Sequence, residues 1–166
     1  AALSTIVTSK MVRRICDVNN IHFEETFTGF KFMAEKLAEY QRDGSYQYVL
    51  AFEESYGYMM GDYVRDKDAV TACVMITEMA AYYFEQGMTL AQALAALYEK
   101  YGFYGERTLN LVMPGLDGLE KMRALMAQLR REPLQEIAGT KVVRMRDYQD
   151  GSVYVMCLGK MDKTPI

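Results

Sequence analysis

Glu53 and Ser55 lie two positions apart in a segment, Phe52–Val70, that is dense in carboxylates and also contains Lys67 and two glycines. A carboxylate can accept two hydrogen bonds at once, which suits adjacent hydroxyls of a sugar ring, and a serine can donate or accept beside it. A lysine just before a helix offers a point charge to a phosphate. These residue types and their spacing predict a site for a polyhydroxylated, phosphorylated small molecule.

Each of these residues also has a purely structural interpretation. A glutamate at a strand end is often a solvated loop residue, and this alternative has about equal weight for Glu53 on composition alone. The run from Arg65 to Asp68 is also typical of a solvated charge cluster in which Asp66 or Asp68 caps the next helix. The aspartates lack the regular Asp-x-Asp-x-Asp-Gly spacing of a calcium loop, so we predict no metal site here.

A second candidate segment is Thr28–Lys31, which combines a hydroxyl, a glycine that lets a ligand approach the backbone, and a helix start with free N–H groups. A Thr-Gly turn alone is a weak signal. Lys10 follows the first predicted strand. His22 is the single histidine of the chain and is interpreted as structural.

Composition excludes several classes of function. The net charge is −3 and the basic residues are scattered, which argues against a nucleic-acid surface. The three cysteines are far apart and lie in apolar stretches, which favours reduced, buried thiols. Apolar runs are too short to span a bilayer, so a cytoplasmic location is predicted. The missing first methionine and the open tail suggest a piece of a longer protein.

The elements that must position these residues follow from hydrophobic periodicity and turn signals. Strands are predicted at residues 4–8, 21–27, 46–52 and 106–113, and helices at residues 10–18, 30–40, 69–86, 89–101 and 118–131. The helix at 30–40 carries Phe30, Met33, Leu37 and Tyr40 along one stripe. The helix at 69–86 is almost wholly apolar or small and is predicted to be buried. Residues 141–147 and 153–158 are predicted to form a hairpin, with a frayed linker as the alternative.

Alternating strands and helices predict an α/β fold, a three-layer sandwich with a mixed, mostly parallel sheet of about four strands and helices on both faces. Ligands bind outside the carboxyl ends of strands in such sheets. Because Thr28–Lys31 and the Glu53 loop both follow strands directly, we expect them to meet at one edge.

Three segments occur together in this order: Thr28-Gly29-Phe30-Lys31, Phe52-Glu53-Glu54-Ser55-Tyr56-Gly57-Tyr58 and Arg65-Asp66-Lys67-Asp68. Together they resemble the third domain of the α-D-phosphohexomutases, most closely the bacterial phosphoglucomutase/phosphomannomutase type. The resemblance runs from about Ser4 through Tyr148. Members of that family have four domains around a cleft and use a phosphoserine and Mg²⁺ to interconvert hexose 1- and 6-phosphates through a bisphosphate intermediate.

The resemblance implies roles for individual residues. Glu53 and Ser55 would hold the ring hydroxyls that stay in place while the intermediate turns around. Lys67 would contact the phosphosugar, and Thr28 and Gly29 would line the same pocket. The resemblance implies no catalytic residue in this chain, apart from Lys10, which matches a family lysine near the reacting groups.

Three family signatures are absent from the sequence, namely the Ser-His-Asn-Pro stretch, the Asp-Gly-Asp-Gly-Asp metal loop and the Arg-x-Ser-Gly-Thr-Glu-Pro phosphate loop. These belong to the first, second and fourth domains. We therefore expect the third domain at residues 1–138 and a linker or strand towards an absent fourth domain at 139–166. Mg²⁺ would be bound by an absent domain, and this chain alone would lack mutase activity.

Two other interpretations stay open at this point. The chain could be a stand-alone, non-catalytic domain that binds a sugar phosphate, or a structural α/β interaction domain whose charged loop is merely solvated. The expected partners are a hexose phosphate and the other three domains of the same polypeptide, with no nucleic acid or membrane. The residues leave open whether glucose, mannose or another sugar is preferred.

Overall fold

A computed structural model describes the backbone of residues 1–157 and 160–165 and the side chains of residues 1–155. The chain divides into two compact units, Ala1–Thr108 and Leu109–Ile166. The predicted boundary at residues 138 and 139 stays a prediction. None of the helices in the described part of the chain is long and apolar enough to cross a membrane.

The first unit contains a four-stranded sheet in the order β2-β1-β3-β4. Its strands are β1 (Ala2–Thr5), β2 (Phe23–Thr26), β3 (Leu50–Phe52) and β4 (Tyr58–Met60). Its helices are α1 (Met11–Val18), α2 (Phe30–Asp43), α3 (Ala69–Glu85) and α4 (Leu90–Tyr101). β1 runs parallel to β2 and β3, whereas β4 is antiparallel to β3.

Alternation along β1 gives the sheet its two covered faces, because successive side chains of a strand point to opposite sides. Leu3 is fully buried in a cluster with Met33 and Leu37 of α2. Ala2 belongs to the opposite cluster, with Cys16 of α1 and Phe23. Helices therefore cover both faces of a mixed, mostly parallel sheet, which confirms the predicted fold class.

The predicted strands differ from the observed ones. β1 begins two residues earlier than predicted and ends at Thr5, three residues before the predicted end. β4 was not predicted because Tyr58–Met60 is short and lies inside the charged loop. It forms a strand because it pairs with β3, and this pairing is not visible in the local sequence. The strand predicted at 106–113 is absent from the described structure, and Leu109, Leu111 and Val112 are exposed there. Alternating apolar residues form a strand only when a neighbouring strand pairs with them.

The burial predicted for the helix at 69–86 was also wrong. α3 forms as predicted, but Ala72 is its only buried residue, and Val70 and Phe84 are 75% and 80% exposed. Cys73, predicted to be a buried thiol, is exposed on the same helix, whereas Cys16 of α1 is buried. The helix contacts β4 and α4. An apolar composition makes burial favourable, but burial also needs a packing surface of matching area, which the two short contacts do not supply.

A capping box begins α4, and we expect its loss to destabilise the first unit. The Thr89 hydroxyl accepts from the Gln92 amide, and the Gln92 side chain accepts from the Thr89 amide. Thr89→Ala should lower the free energy of unfolding by about 1 kcal/mol, measured by urea denaturation. Thr77→Ala is the matched control, because that hydroxyl bonds only the Cys73 carbonyl within α3. An equal loss in both variants would contradict the capping role.

The second unit contains one helix and short antiparallel strands. These are α5 (Gly118–Arg131), β5 (Glu136–Ile137), β6 (Thr140–Lys141), β7 (Arg144–Asp147), β8 (Ser152–Cys157) and β9 (Lys160–Pro165). Arg130 of α5 donates to the buried Asp147 carboxylate at the end of β7. The predicted hairpin is present as β7 and β8, and Leu158, its last predicted residue, lies outside the described residues.

Candidate functional site

The carboxyl ends of β2 and β3 are joined through a buried carboxylate. Glu53 directly follows β3 and is only 8% exposed. Its Oε1 accepts from the Gly29 amide at 2.7 Å, and Gly29 is the residue before α2. Since β1 lies between β2 and β3, this bond reaches across the sheet edge. The predicted meeting of the two loops at one edge is therefore present.

A tight turn between β3 and β4 presents Glu53 and Ser55 together. The Glu53 amide donates to the Gly57 carbonyl at 2.9 Å, which closes the turn. Tyr56 has a positive φ of 66° and stands at the exposed tip. The Ser55 hydroxyl lies 3.5 Å from Glu53 Oε2, a long hydrogen bond. Both side chains thus point into the same region, with the serine exposed and the glutamate buried.

Lys67, two residues before α3, lies close to the start of α2 and interacts electrostatically with Glu53. Its Nζ lies 4.9 Å from the centre of the Phe30 ring, the first residue of α2, in cation–π geometry. The Asp66 carboxylate binds the same ammonium at 2.7 Å and raises the pKa of Lys67, with a smaller contribution from Glu53. The Lys67 side chain remains 57% exposed, so its charge is available to an anion.

The loop aspartates have structural partners. Asp68 caps α3, because its Oδ1 accepts from the amides of Val70 and Thr71 at 2.9 and 3.4 Å. Hydrogen bonds from the side chain and amide of Lys67 hold the pKa of Asp66 below its usual range. Of the described residues, no three His, Cys, Asp or Glu side chains group closely enough to hold a metal ion.

Lys10 is engaged elsewhere on the edge. Its Nζ lies 2.5 Å from Glu25 Oε1 on β2 and donates to the Ile6 carbonyl at 2.9 Å, while Arg13 binds the second Glu25 oxygen at 3.2 Å. Partial burial raises the pKa of Glu25, but the hydrogen bonds from Lys10 and Arg13 outweigh it and leave the pKa below its usual value. The structure therefore places Lys10 in an ion pair beside β2 and not in the Glu53 cluster.

Residues 1–101 match the family model described as phosphoglucomutase/phosphomannomutase, alpha/beta/alpha domain III. The chain belongs to this family. It is 36% identical over 152 residues to a phosphoglucomutase of Staphylococcus aureus (strain bovine RF122 / ET3-1), which covers 92% of this chain and 27% of the relative. It is 32% identical over 161 residues to a phosphoglucomutase of Staphylococcus saprophyticus, covering 97% of this chain and 29% of the relative.

The chain spans between a quarter and a third of the length of these phosphoglucomutases. The matched domain III residues contain the sheet, the Gly29 turn, the Glu53 loop and Lys67. The structure thus brings together four of the predicted site residues, Gly29, Glu53, Ser55 and Lys67. Thr28 is exposed next to Gly29.

Two contributors to the candidate site of this domain III were not predicted from the sequence. Phe30 was given no separate role within the Thr28–Lys31 segment, although its ring faces Lys67. Glu54 was treated as part of the motif with no separate role, although its Oε2 accepts from Thr5 at the end of β1 and lies 3.3 Å from the Thr8 hydroxyl. No local signal could have revealed this contact, because Glu54 and Thr5 lie 49 positions apart in the sequence.

Gly57 lacks space for a side chain. A Cβ at this position would lie 2.6 Å from Phe30 Cε2 and 3.0 Å from Lys67 Cδ. Because the Phe30 ring is buried, we expect Gly57→Ala to lower the free energy of unfolding by about 1–3 kcal/mol through overpacking.

Urea denaturation measures this loss, and Gly105→Ala is the matched control. The Cβ at position 105 would approach only the exposed Phe103 ring, which can move. If the two glycine variants had the same midpoint, the close packing at Gly57 would be contradicted.

Proposed function

We propose that this chain is the sugar-recognition domain of an enzyme that interconverts hexose 1-phosphate and hexose 6-phosphate through a bisphosphate intermediate. The observation that carries the proposal is the buried Glu53 carboxylate, fixed by Gly29 and flanked by Ser55, with the Lys67 cation nearby. The names of its relatives, phosphoglucomutases, support the same activity.

The arrangement suits recognition of a sugar ring. A carboxylate oxygen has two acceptor sites, so Glu53 keeps acceptor capacity after it has bound the Gly29 amide. Two adjacent ring hydroxyls can donate to that carboxylate, and Ser55 can contribute a third hydrogen bond. The Gly29 bond orients the carboxylate before the sugar arrives, which reduces the entropy lost on binding.

Lys67 is proposed to contact the phosphate of the same ligand. Its ammonium is held at the start of α3 by Asp66 and by the Phe30 ring, which limits its motion without removing it from solvent. Thr28, exposed next to Gly29, is proposed to line the pocket. One side of the ligand would thus be bound through hydroxyls and the other through charge.

The proposed contribution to catalysis is positioning. Phosphoryl transfer depends mainly on alignment and charge stabilisation, so a domain can be essential while it supplies only binding contacts. Lys10 is held in an ion pair with Glu25, and we propose no proton transfer through it. Mg²⁺, which would stabilise charge on the transferring phosphoryl group, is proposed to bind another domain of the full enzyme. The enzyme is proposed to be located in the cytoplasm.

The proposal is tested by titrating the chain with glucose 1-phosphate and, in parallel, mannose 1-phosphate, while backbone amide signals are followed by NMR. We expect saturable shifts at residues 28–30, 53–57 and 66–68. Inorganic phosphate and free glucose at the same concentrations are the controls and should bind more weakly. Equal shifts with inorganic phosphate, or none with the sugar phosphates, would contradict sugar recognition.

A mutase assay tests the second half of the proposal. The isolated chain with glucose 1-phosphate, Mg²⁺ and a bisphosphate activator should give no turnover, because its proposed role is binding only. Conversion to glucose 6-phosphate, retained after repurification and proportional to the amount of chain, would contradict this.

A further inference from the structure

A second carboxylate of the Glu53 loop faces a different loop. Glu54 Oε2 lies 2.8 Å from the Thr5 hydroxyl and 3.3 Å from the Thr8 hydroxyl. Thr5 is fully buried at the end of β1, and Thr8 is 6% exposed in the loop that follows. Glu54 thus connects the loop after β3 to the loop after β1.

The three distances in this cluster favour one pattern of hydrogen bonds. The two threonine hydroxyls lie 2.8 Å apart, and each has one proton. The arrangement that uses both short distances has Thr8 donating to Thr5 and Thr5 donating to Glu54. The carboxylate is therefore the terminal acceptor of a two-hydroxyl chain, and without it one of the two hydroxyl protons would have no acceptor in this cluster.

We infer that Glu54 is a positioning residue that fixes the orientation of Glu53 and Ser55 for the sugar. This inference rests on the proposed function for the identity of the ligand. Glu53 is bonded to the loop after β2, and Glu54 to the loop after β1. Hydrogen bonds therefore connect the turn to both neighbouring segments, whereas Tyr56 at the tip of the turn is exposed.

Loss of the hydrogen bond between Thr5 and Glu54 should make the turn more mobile without removing the Glu53 carboxylate. Ligand-free hydrogen exchange reports this directly, because the Gly29 amide donates to Glu53 and the Glu53 amide closes the turn. In Glu54→Ala we expect both amides to exchange roughly five- to ten-fold faster, the factor that corresponds to one net hydrogen bond. The Leu3 amide in the core should keep its rate.

Rescue by a conservative variant separates positioning from general destabilisation. Glu54→Gln retains an acceptor oxygen at the same reach, so Gly29 exchange should return to within about two-fold of the wild-type rate. Glu35→Ala, an exposed glutamate of α2, is the matched control and should leave the rate unchanged. Thr5→Val combined with Glu54→Ala should be no faster than Glu54→Ala alone, because both remove the same bond.

Sugar affinity supplies the functional measurement. Glu54→Ala should raise the Kd for glucose 1-phosphate roughly five-fold, measured under conditions in which the variant is folded. Glu54→Gln should return the Kd to the wild-type value. Unchanged Gly29 exchange in Glu54→Ala, or faster exchange with unchanged Kd, would overturn the inference. Failure of the wild-type chain to bind sugar phosphate would instead refute the proposed function, while the exchange rates would still decide whether Glu54 fixes the turn.

Discussion

Replacing Glu53 with Gln is expected to weaken binding of glucose 1-phosphate about 5- to 30-fold, which corresponds to about 1–2 kcal/mol. Gln keeps the shape of the side chain and an oxygen for the Gly29 amide. It loses the charge and one acceptor oxygen, so ring hydroxyls would donate to a neutral and partly occupied group. Hydrogen bonds to charged groups are stronger than neutral ones, which sets the size of the loss.

Calorimetric titration measures this change, and urea denaturation checks that the fold is intact. Glu35→Gln is the matched control, because it removes the same charge from the exposed face of α2. Glu53→Ala should bind still more weakly and should also be less stable, since the Gly29 amide loses its acceptor. Wild-type affinity in Glu53→Gln would remove the sugar-binding role from this residue.

Leu37→Ala should give the largest loss of stability, about 2–5 kcal/mol in the free energy of unfolding. Leu37 lies on α2, is fully buried, and belongs to the same cluster as Leu3 and Met33. Truncation removes apolar contact and leaves a cavity that the short strands of the sheet cannot readily fill. Because α2 begins at the Gly29 turn, this core also holds one wall of the proposed site.

The measurement is the urea midpoint of the first unit, followed by circular dichroism and by tyrosine fluorescence. Leu94→Ala on α4 is the matched control, since Leu94 is 43% exposed and its truncation should cost less than about 1 kcal/mol. A loss at Leu37 no larger than that at Leu94 would mean that α2 does not pack against the sheet as described.

The sequence was most informative where local chemistry and tertiary structure agree. The stripe of Phe30, Met33 and Leu37 predicted α2 and its packing face, and the loops after β2 and β3 were expected to meet because parallel strands share one edge. Parallel order could be inferred from alternation of elements, since it depends on helices that are themselves visible in the sequence.

The remaining features depend on contacts between distant segments. β4 exists because Tyr58–Met60 pairs with β3, and the exposure of α3 depends on which surfaces are available to cover it. The bond between Glu54 and Thr5 joins residues 49 positions apart, so no local pattern indicates it. The motif resemblance predicted the candidate site, but the separate partners of Glu53 and Glu54 are visible only in the structure.

The orientation of a bound sugar tests the central claim most directly. A crystal structure of the chain with glucose 1-phosphate should place two adjacent ring hydroxyls within about 3.2 Å of the Glu53 carboxylate oxygens, with the phosphate on the Lys67 side. A sugar phosphate bound elsewhere, with Glu53 contacting only Gly29 and Ser55, would contradict it.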